Sequence, residues 1–575
     1  KTTVLVARSG RLLQDRIVTA SQLCVLTFTN KAARELKTRV TTRLGAQAKN
    51  IWAGTFHSFG LTLLRKFHKQ VGLSREFGIL DPGDAGPLCK ELLRDWDNAG
   101  KSAYDSDRLL FKISQWREAG QVAADKEEEY DEAVEWLLPR YLRRLETLGM
   151  VDFDGLILKP IQLLQENESV KNQIQETFQQ VMVDEFQDTN QMQMKLIRLL
   201  TDGHQNLSVV GDDDQSIYGW RGACISNILN FPKFYQECKV VRLERNYRST
   251  PAILRIANQV ILKNNERHSK VLRSDPAAEL GKLPEIVVYE DEGEESEQVA
   301  HEIQERTREG YLLKQIAILY RSNSQGAMFE AELRKQQIPY AITGGTAFFD
   351  RKETRDILAY LRSSMKPTEV SLRRILNVPS RGIGEKTVDE IARYASERNL
   401  SFHRALKSWG EAGVEERTGA HIEAFFGILD RMVPTVLDIG LGGTWGSRLL
   451  NFLKEIHYQA HVEKHSPDVL AASKRWKMVE IFAGILDKFM ERGGAQPLRD
   501  FLDAMELRDN LEDKKAEEDR VQLLTLHACK GLEYPVVFLV GVEEDILPHK
   551  TLGSDLAEER RLFYVGVTRA QKDLI

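Results

Sequence analysis

Val181-Met182-Val183-Asp184-Glu185-Phe186-Gln187-Asp188 is the stretch from which the rest of the chain can be read. Three apolar residues run straight into adjacent carboxylates, the pattern of a strand buried on both faces that stops at a polar edge. In a parallel α/β sheet, ligands bind just beyond the carboxyl ends of the strands. Asp184 therefore stands where a Mg²⁺ ion could be held, and Glu185 where a carboxylate could orient and deprotonate an attacking water. A bare Asp-Glu pair is more often an acidic turn. The full Asp-Glu-Phe-Gln-Asp string favours the catalytic reading.

Working outward, short apolar runs recur at Leu23–Thr27, Leu207–Val210, Ile316–Tyr320, Val521–Leu526 and Val536–Val540, each followed by a helical pattern. This alternation predicts parallel α/β sheets. Residues 81–175 and 348–519 break it, being helical in period and rich in Leu, Glu, Arg and Lys. The economical division is two α/β cores, each carrying a helical insertion. The first core spans 1–80 and 176–250, with 81–175 inserted; the second spans 251–347 and 520–575, with 348–519 inserted. The charge-dense Asp509–Arg520 reads as the solvated return from the second insertion.

A length of 575 residues suggests about four folding units. No apolar run approaches the roughly 20 residues a membrane helix needs. The net charge of −5 gives no hint of nucleic acid, so only the local distribution of charge can speak to that. Five cysteines without a paired spacing argue against a zinc or disulfide framework and point to a reducing cytoplasm.

Lys1-Thr2-Thr3 opens a helix-compatible run, as the end of a phosphate-binding loop would. On that reading the glycine-rich part of the loop is cut off before Lys1, and the second core is likewise truncated at its end. A second strand end follows the first, at Val209-Val210-Gly211-Asp212-Asp213-Asp214-Gln215-Ser216-Ile217-Tyr218-Gly219-Trp220-Arg221-Gly222-Ala223. This string resembles motif III of superfamily one DNA helicases, in the branch that contains UvrD, Rep and PcrA.

Further motifs of that family follow in order. Thr27–Ala33 is similar to motif Ia, and Gly54-Thr55-Phe56-His57 to the next DNA-contacting segment. Leu243–Ser249 resembles motif IV, Thr525–Glu533 motif V, and Glu558–Leu562 with Val567–Gln571 motif VI.

The resemblance implies an α/β fold of two RecA-like parallel-sheet cores, the P-loop NTPase type, binding ATP and Mg²⁺ in the cleft between them. It implies that Lys1 contacts the β/γ-phosphates, Thr2 and Asp184 the magnesium, and Glu185 the hydrolytic water. By the same resemblance Gln215 senses the γ-phosphate, Tyr247 stacks on adenine, Glu533 reaches the ribose, and Arg248 and Arg569 bring positive charge to the γ-phosphate. The family often has arginine against the adenine where this chain has Thr3, which leaves one face of the base uncovered.

Movement along single-stranded DNA needs aromatic platforms for bases. Trp220, with Tyr218 and Arg221, directly follows the sensor Gln215. Phe28 and His57 are similar to base-contacting positions of the first core, and Arg321 and His549 to their counterparts in the second. Val378–Thr387 contains Gly382-Ile383-Gly384, a turn that lets backbone amides approach a phosphate. With Lys386 and Thr387 it resembles the hairpin that family members use to grip duplex. From Ser371 to Lys407 there are eight Lys/Arg against four Asp/Glu. Gly440–Gly446 lacks a preceding strand and reads as a loop; Phe348 and Phe349 read as core.

The expected activity is ATP-dependent 3′→5′ helicase and translocase action on single strands and single/double-strand junctions, in replication or repair. Replication or repair proteins are conceivable partners, and both monomer and dimer are compatible with the sequence. Two other readings remain: a translocase that mainly displaces proteins from DNA, and a DNA-binding module with little ATPase activity.

Overall fold

The computed structural model describes residues 1–48, 50–80, 82–93, 96, 104–119, 128–343, 348–466, 468–493, 497–506, 519–549 and 555–575. Residues 509–518 of the charge-dense return segment lie outside them. The chain forms two units. One comprises Lys1–Tyr247, Leu254–Ala278 and Lys550–Val565; the other comprises Arg248–Ile253, Glu279–His549 and Gly566–Ile575.

The first unit is built on β1 (Leu23–Thr27), β2 (Trp52–Thr55), β3 (Gln180–Val183) and β4 (Leu207–Val209). They are ordered β2-β1-β3-β4, and all pairs are parallel. Successive side chains of a strand point to opposite faces, and both faces here are covered. Cys24, Leu26, Val181 and Val183 pack with Phe59, Leu63, Ile161 and Leu196 on one side. Leu23, Val25 and Met182 pack with Leu5, Leu12 and Leu36 on the other. A continuous apolar strand is stable only in such a sandwich, which is why these runs were legible. Helices Pro82–Leu93, Ser106–Ala119 and Glu128–Leu148 share a separate core that includes Leu109, Leu137 and Tyr141.

The second unit holds β5 (Ile316–Tyr320), β6 (Tyr340–Thr343), β7 (Val521–Thr525), β8 (Tyr534–Leu539) and β9 (Ala570–Leu574). Their order is β6-β7-β5-β8-β9, again parallel throughout. Between β6 and β7 the chain makes a helical body with its own core, in which Phe348 and Phe349 are buried. No helix among the described residues is long and apolar enough to cross a membrane.

Candidate active site

Parallel register brings the carboxyl ends of the first sheet to one edge. Leu26 pairs with Val183 and Val183 with Val209, and the amide of Asp184 donates to Leu26 O at 3.0 Å. The helix Thr2–Gln14 begins at this edge with Lys1 as its N-cap and no side chain capping it. Its unsatisfied amides favour an anion. The Thr2 hydroxyl donates to Asp184 Oδ2 at 3.0 Å, and the Glu185 amide donates to Asp184 Oδ1 at 3.0 Å. Burial pushes the Asp184 carboxyl up, and the neighbouring Glu185 charge adds to this; the Thr2 hydroxyl opposes it. Two hard oxygens on different elements, one of them a carboxylate, are the donor set expected for an ion that takes its remaining ligands from phosphate and water.

Glu185 adopts φ 50°, ψ 44°, the left-handed region, which costs an L-residue about 1–2 kcal/mol. Strain of this kind persists where the surroundings over-determine it. Here Gln187 Nε2 donates to Glu185 Oε2 at 2.7 Å, while Gln187 Oε1 accepts the Asp212 amide at 2.8 Å. One side chain thus joins the ends of β3 and β4.

Asp212 is the centre of the second strand end. Its Oδ2 accepts from Gln215 Nε2 at 2.7 Å and lies 3.5 Å from Lys1 Nζ; its Oδ1 lies 2.6 Å from Lys270 Nζ. Burial alone would raise this carboxyl, but Lys1 and Lys270 outweigh it and hold Asp212 well below the usual carboxylate range. Lys1, Thr2, Asp184, Glu185 and Gln215 are therefore brought together, through Gln187 and Asp212. The adenine-facing candidates are open to solvent: Thr3 is exposed, and Tyr247 is 77% exposed.

In the second unit, Arg248 Nε pairs with Glu533 Oε2 at 2.5 Å and its Nη1 donates to Thr568 O at 3.3 Å. Gln571 Nε2 donates to the other oxygen of Glu533 at 3.1 Å. Arg569 is 1% exposed, donating to Leu532 O and to the Thr568 hydroxyl, each at 3.1 Å. Arg248, Glu533 and Arg569 thus form one cluster between the ends of motifs IV, V and VI.

Of the nucleic-acid candidates, Phe28 and Tyr218 stack at 5.3 Å with an 18° interplanar angle. The Arg221 guanidinium lies 4.6 Å from the Trp220 ring centroid, and Trp220 is 52% exposed. Backbone binding holds this element in place, since the Gly219 amide donates to Glu558 Oε1 at 3.0 Å. His57 packs against Phe153 at 5.4 Å, and burial lowers its pKa, favouring the neutral ring. Arg321, at the end of β5, is buried, and His549 is half-buried after the turn Leu547-Pro548.

The Gly382–Thr387 hairpin is a turn into the helix Glu385–Glu397. Gly382 has φ +75°, and a Cβ there would stand 3.3 Å from His421 Nδ1; Gly384 faces open space. The Lys386 side chain is 91% exposed, and Thr387 half-buried. Arg381 instead turns inward to the carbonyls of Ile375 and Leu376 and the Tyr360 hydroxyl, while Arg374 pairs with buried Asp356. The positive excess counted along this segment thus overstates the charge the hairpin presents.

Residues 1–236 match the profile of the UvrD/REP helicase N-terminal domain, and residues 241–417 and 447–575 that of the UvrD-like helicase C-terminal domain. The chain belongs to the UvrD/REP helicase family. It is 38% identical to the ATP-dependent DNA helicase PcrA of Bacillus subtilis (strain 168) over an aligned 594 residues, covering 100% of this chain and 78% of that one. It is 36% identical to the PcrA of Staphylococcus aureus (strain MRSA252) over 586, covering 100% and 79%. It is 35% identical to a Staphylococcus epidermidis PcrA over 587, with the same coverage.

For a helicase of this family the exposed Trp220 is the sharpest mutational target. Trp220→Ala is expected to weaken binding to a single-stranded oligonucleotide by about tenfold or more, the loss of one stacked base. Its thermal unfolding should barely move, because the ring is half in solvent. Fluorescence anisotropy measures the first; unchanged affinity would remove Trp220 from the DNA track.

Sequence reasoning missed Asp212 and Gln187 as organisers and missed Lys270 altogether. Gln187 and Asp212 lie inside the quoted motifs, so their residue types were in view but not their mutual bond. Lys270 carries no motif, and only the folded chain brings it to the strand end.

Proposed function

We propose that this helicase moves 3′→5′ along single-stranded DNA and unwinds duplex at single/double-strand junctions, driven by hydrolysis of ATP in the presence of Mg²⁺. Lys1 contacts the β/γ-phosphates, and Thr2 and Asp184 would hold Mg²⁺, which supplies neutralising charge at the phosphates. Glu185 takes the proton of the attacking water. Gln215 registers the γ-phosphate, and Arg248 and Arg569 stabilise its developing charge. Tyr247 serves the base and Glu533 the ribose. Phe28, His57, Tyr218, Trp220, Arg221, Arg321 and His549 serve the single strand, and Gly382, Gly384, Lys386 and Thr387 the duplex. The work is done in the cytoplasm, in replication or repair.

The observation that carries this reading is the path Glu185–Gln187–Asp212–Gln215, which runs in sequence straight into Tyr218 and Trp220. The candidate hydrolytic carboxylate thereby shares a polar network with Gln215, and the chain continues from Gln215 into the stacking platform within five residues. The test uses the full-length protein on duplexes bearing a 3′ or a 5′ single-stranded tail, with ATP and Mg²⁺, beside an assay for displacing a protein block. Unwinding from the 3′ tail alone is expected. Displacement without unwinding would replace the helicase reading by that of a protein-stripping translocase, and unwinding from the 5′ tail alone would reverse the polarity.

A further inference from the structure

Lys270 stands over three consecutive carboxylates. Its Nζ contacts Asp212 Oδ1 at 2.6 Å, Asp213 Oδ1, and Asp214 Oδ2 at 3.2 Å, and its side chain is only 16% exposed. The segment carrying it is fastened on both sides. Arg267 makes a two-pronged bond to Asp214 at 2.8 and 2.7 Å, the His268 amide donates to Asp213 Oδ2 at 2.7 Å, and Arg245–Asn246 pairs as a short strand with Arg273–Ser274. The ammonium is thus held in one place.

Three carboxylates face two fixed cations, Lys270 and Arg267. The remaining negative charge is met by Lys1, 3.5 Å from Asp212. Lys1 is also the residue assigned to the triphosphate, so Asp212 and a nucleotide draw on the same ammonium. How strongly Asp212 retains it depends on how fully Lys270 already neutralises that carboxylate, because charge interactions are strong where water is largely excluded. The same carboxylate holds the Gln215 amide at 2.7 Å.

We propose that Lys270 is a positioning residue for the ATP reaction: by neutralising Asp212 it lets Lys1 pass to the phosphates, and so it sets ATP affinity. This rests on the nucleotide reading given above and deepens it. Without Lys270 the cluster would carry two uncompensated negative charges beside the triphosphate, and Lys1 would be drawn onto Asp212.

The experiment measures binding of a fluorescent ATP analogue and the split between KM and kcat in DNA-stimulated ATPase, on the full-length protein. Lys270→Met is expected to weaken ATP binding and raise KM by about tenfold or more, a modest electrostatic change in affinity terms. Single-stranded DNA binding without nucleotide should be unchanged, and Lys270→Arg should stay near wild type. Adding Asp213→Asn to Lys270→Met removes one negative charge and should restore much of the ATP affinity, a rescue that a purely structural lysine would not show.

Asp213→Asn alone should tighten ATP binding, so a Lys270→Met protein that fails to fold still leaves a directional result. Unchanged KM in Lys270→Met, no rescue in the double variant, or weaker ATP binding by Asp213→Asn would each overturn the proposal. A wild-type protein that binds no nucleotide would instead sink the ATPase reading.

Discussion

Replacing Glu185 by glutamine is expected to lower ATP turnover by about 10²–10⁴-fold, the usual contribution of a positioned general base, while ATP and single-stranded DNA still bind. The structure explains why the substitution isolates chemistry from folding. Gln187 Nε2 donates to Glu185 Oε2 at 2.7 Å, and a glutamine carbonyl accepts the same bond in the same volume. The left-handed backbone at this position is indifferent to the exchange of one oxygen for a nitrogen. Only the ability to take a proton is lost. Single-turnover hydrolysis beside nucleotide-analogue binding measures both quantities. Turnover close to wild type would move the base elsewhere, with Asp184 and Asp188 as the next carboxylates in the string.

The second large effect is expected at Arg569. Arg569→Ala should reduce DNA-stimulated hydrolysis by about 10³-fold or more, in the range of arginine residues that meet a transferring phosphoryl group. It should also lower the unfolding temperature. Arg569 is 1% exposed, and its guanidinium satisfies Leu532 O and the Thr568 hydroxyl. Removing it takes a donor from the half-buried Leu532 carbonyl, at about 1–3 kcal/mol or less. Arg569→Lys keeps a charge but not the two-pronged geometry, so it should recover stability only in part and hydrolysis hardly at all. Differential scanning calorimetry and steady-state ATPase on the same preparations separate the two roles. A lowered unfolding temperature with normal turnover of the folded fraction would make Arg569 a structural arginine and leave Arg248 as the remaining arginine candidate for the γ-phosphate.

Arg248 and Arg569 show how burial divides residues that a motif treats alike. Both were assigned to the γ-phosphate by resemblance. Arg248 is held by a carboxylate, Glu533, that was itself assigned to the ribose, whereas Arg569 is buried and donates to Leu532 O and to the Thr568 hydroxyl. On the proposed reading, a phosphate would have to compete with Glu533 for Arg248.

Much of this protein was determined by sequence alone, because the decisive signals are local. Strands buried on both faces must be continuously apolar, and the parallel arrangement puts their ends at one edge, so Asp184 and Glu185 could be placed without coordinates. Trp220 was legible for a similar reason: a large ring among polar and glycine residues has no local core to join.

The tertiary structure alone decided which side chains share a charge. Lys270 reaches Asp213 across 57 residues of chain, and Arg381 turns inward although its sequence neighbourhood reads as a basic grip. Composition counts charges, but a charge acts according to the partner it meets and the water it loses. Neither is set by spacing along the chain.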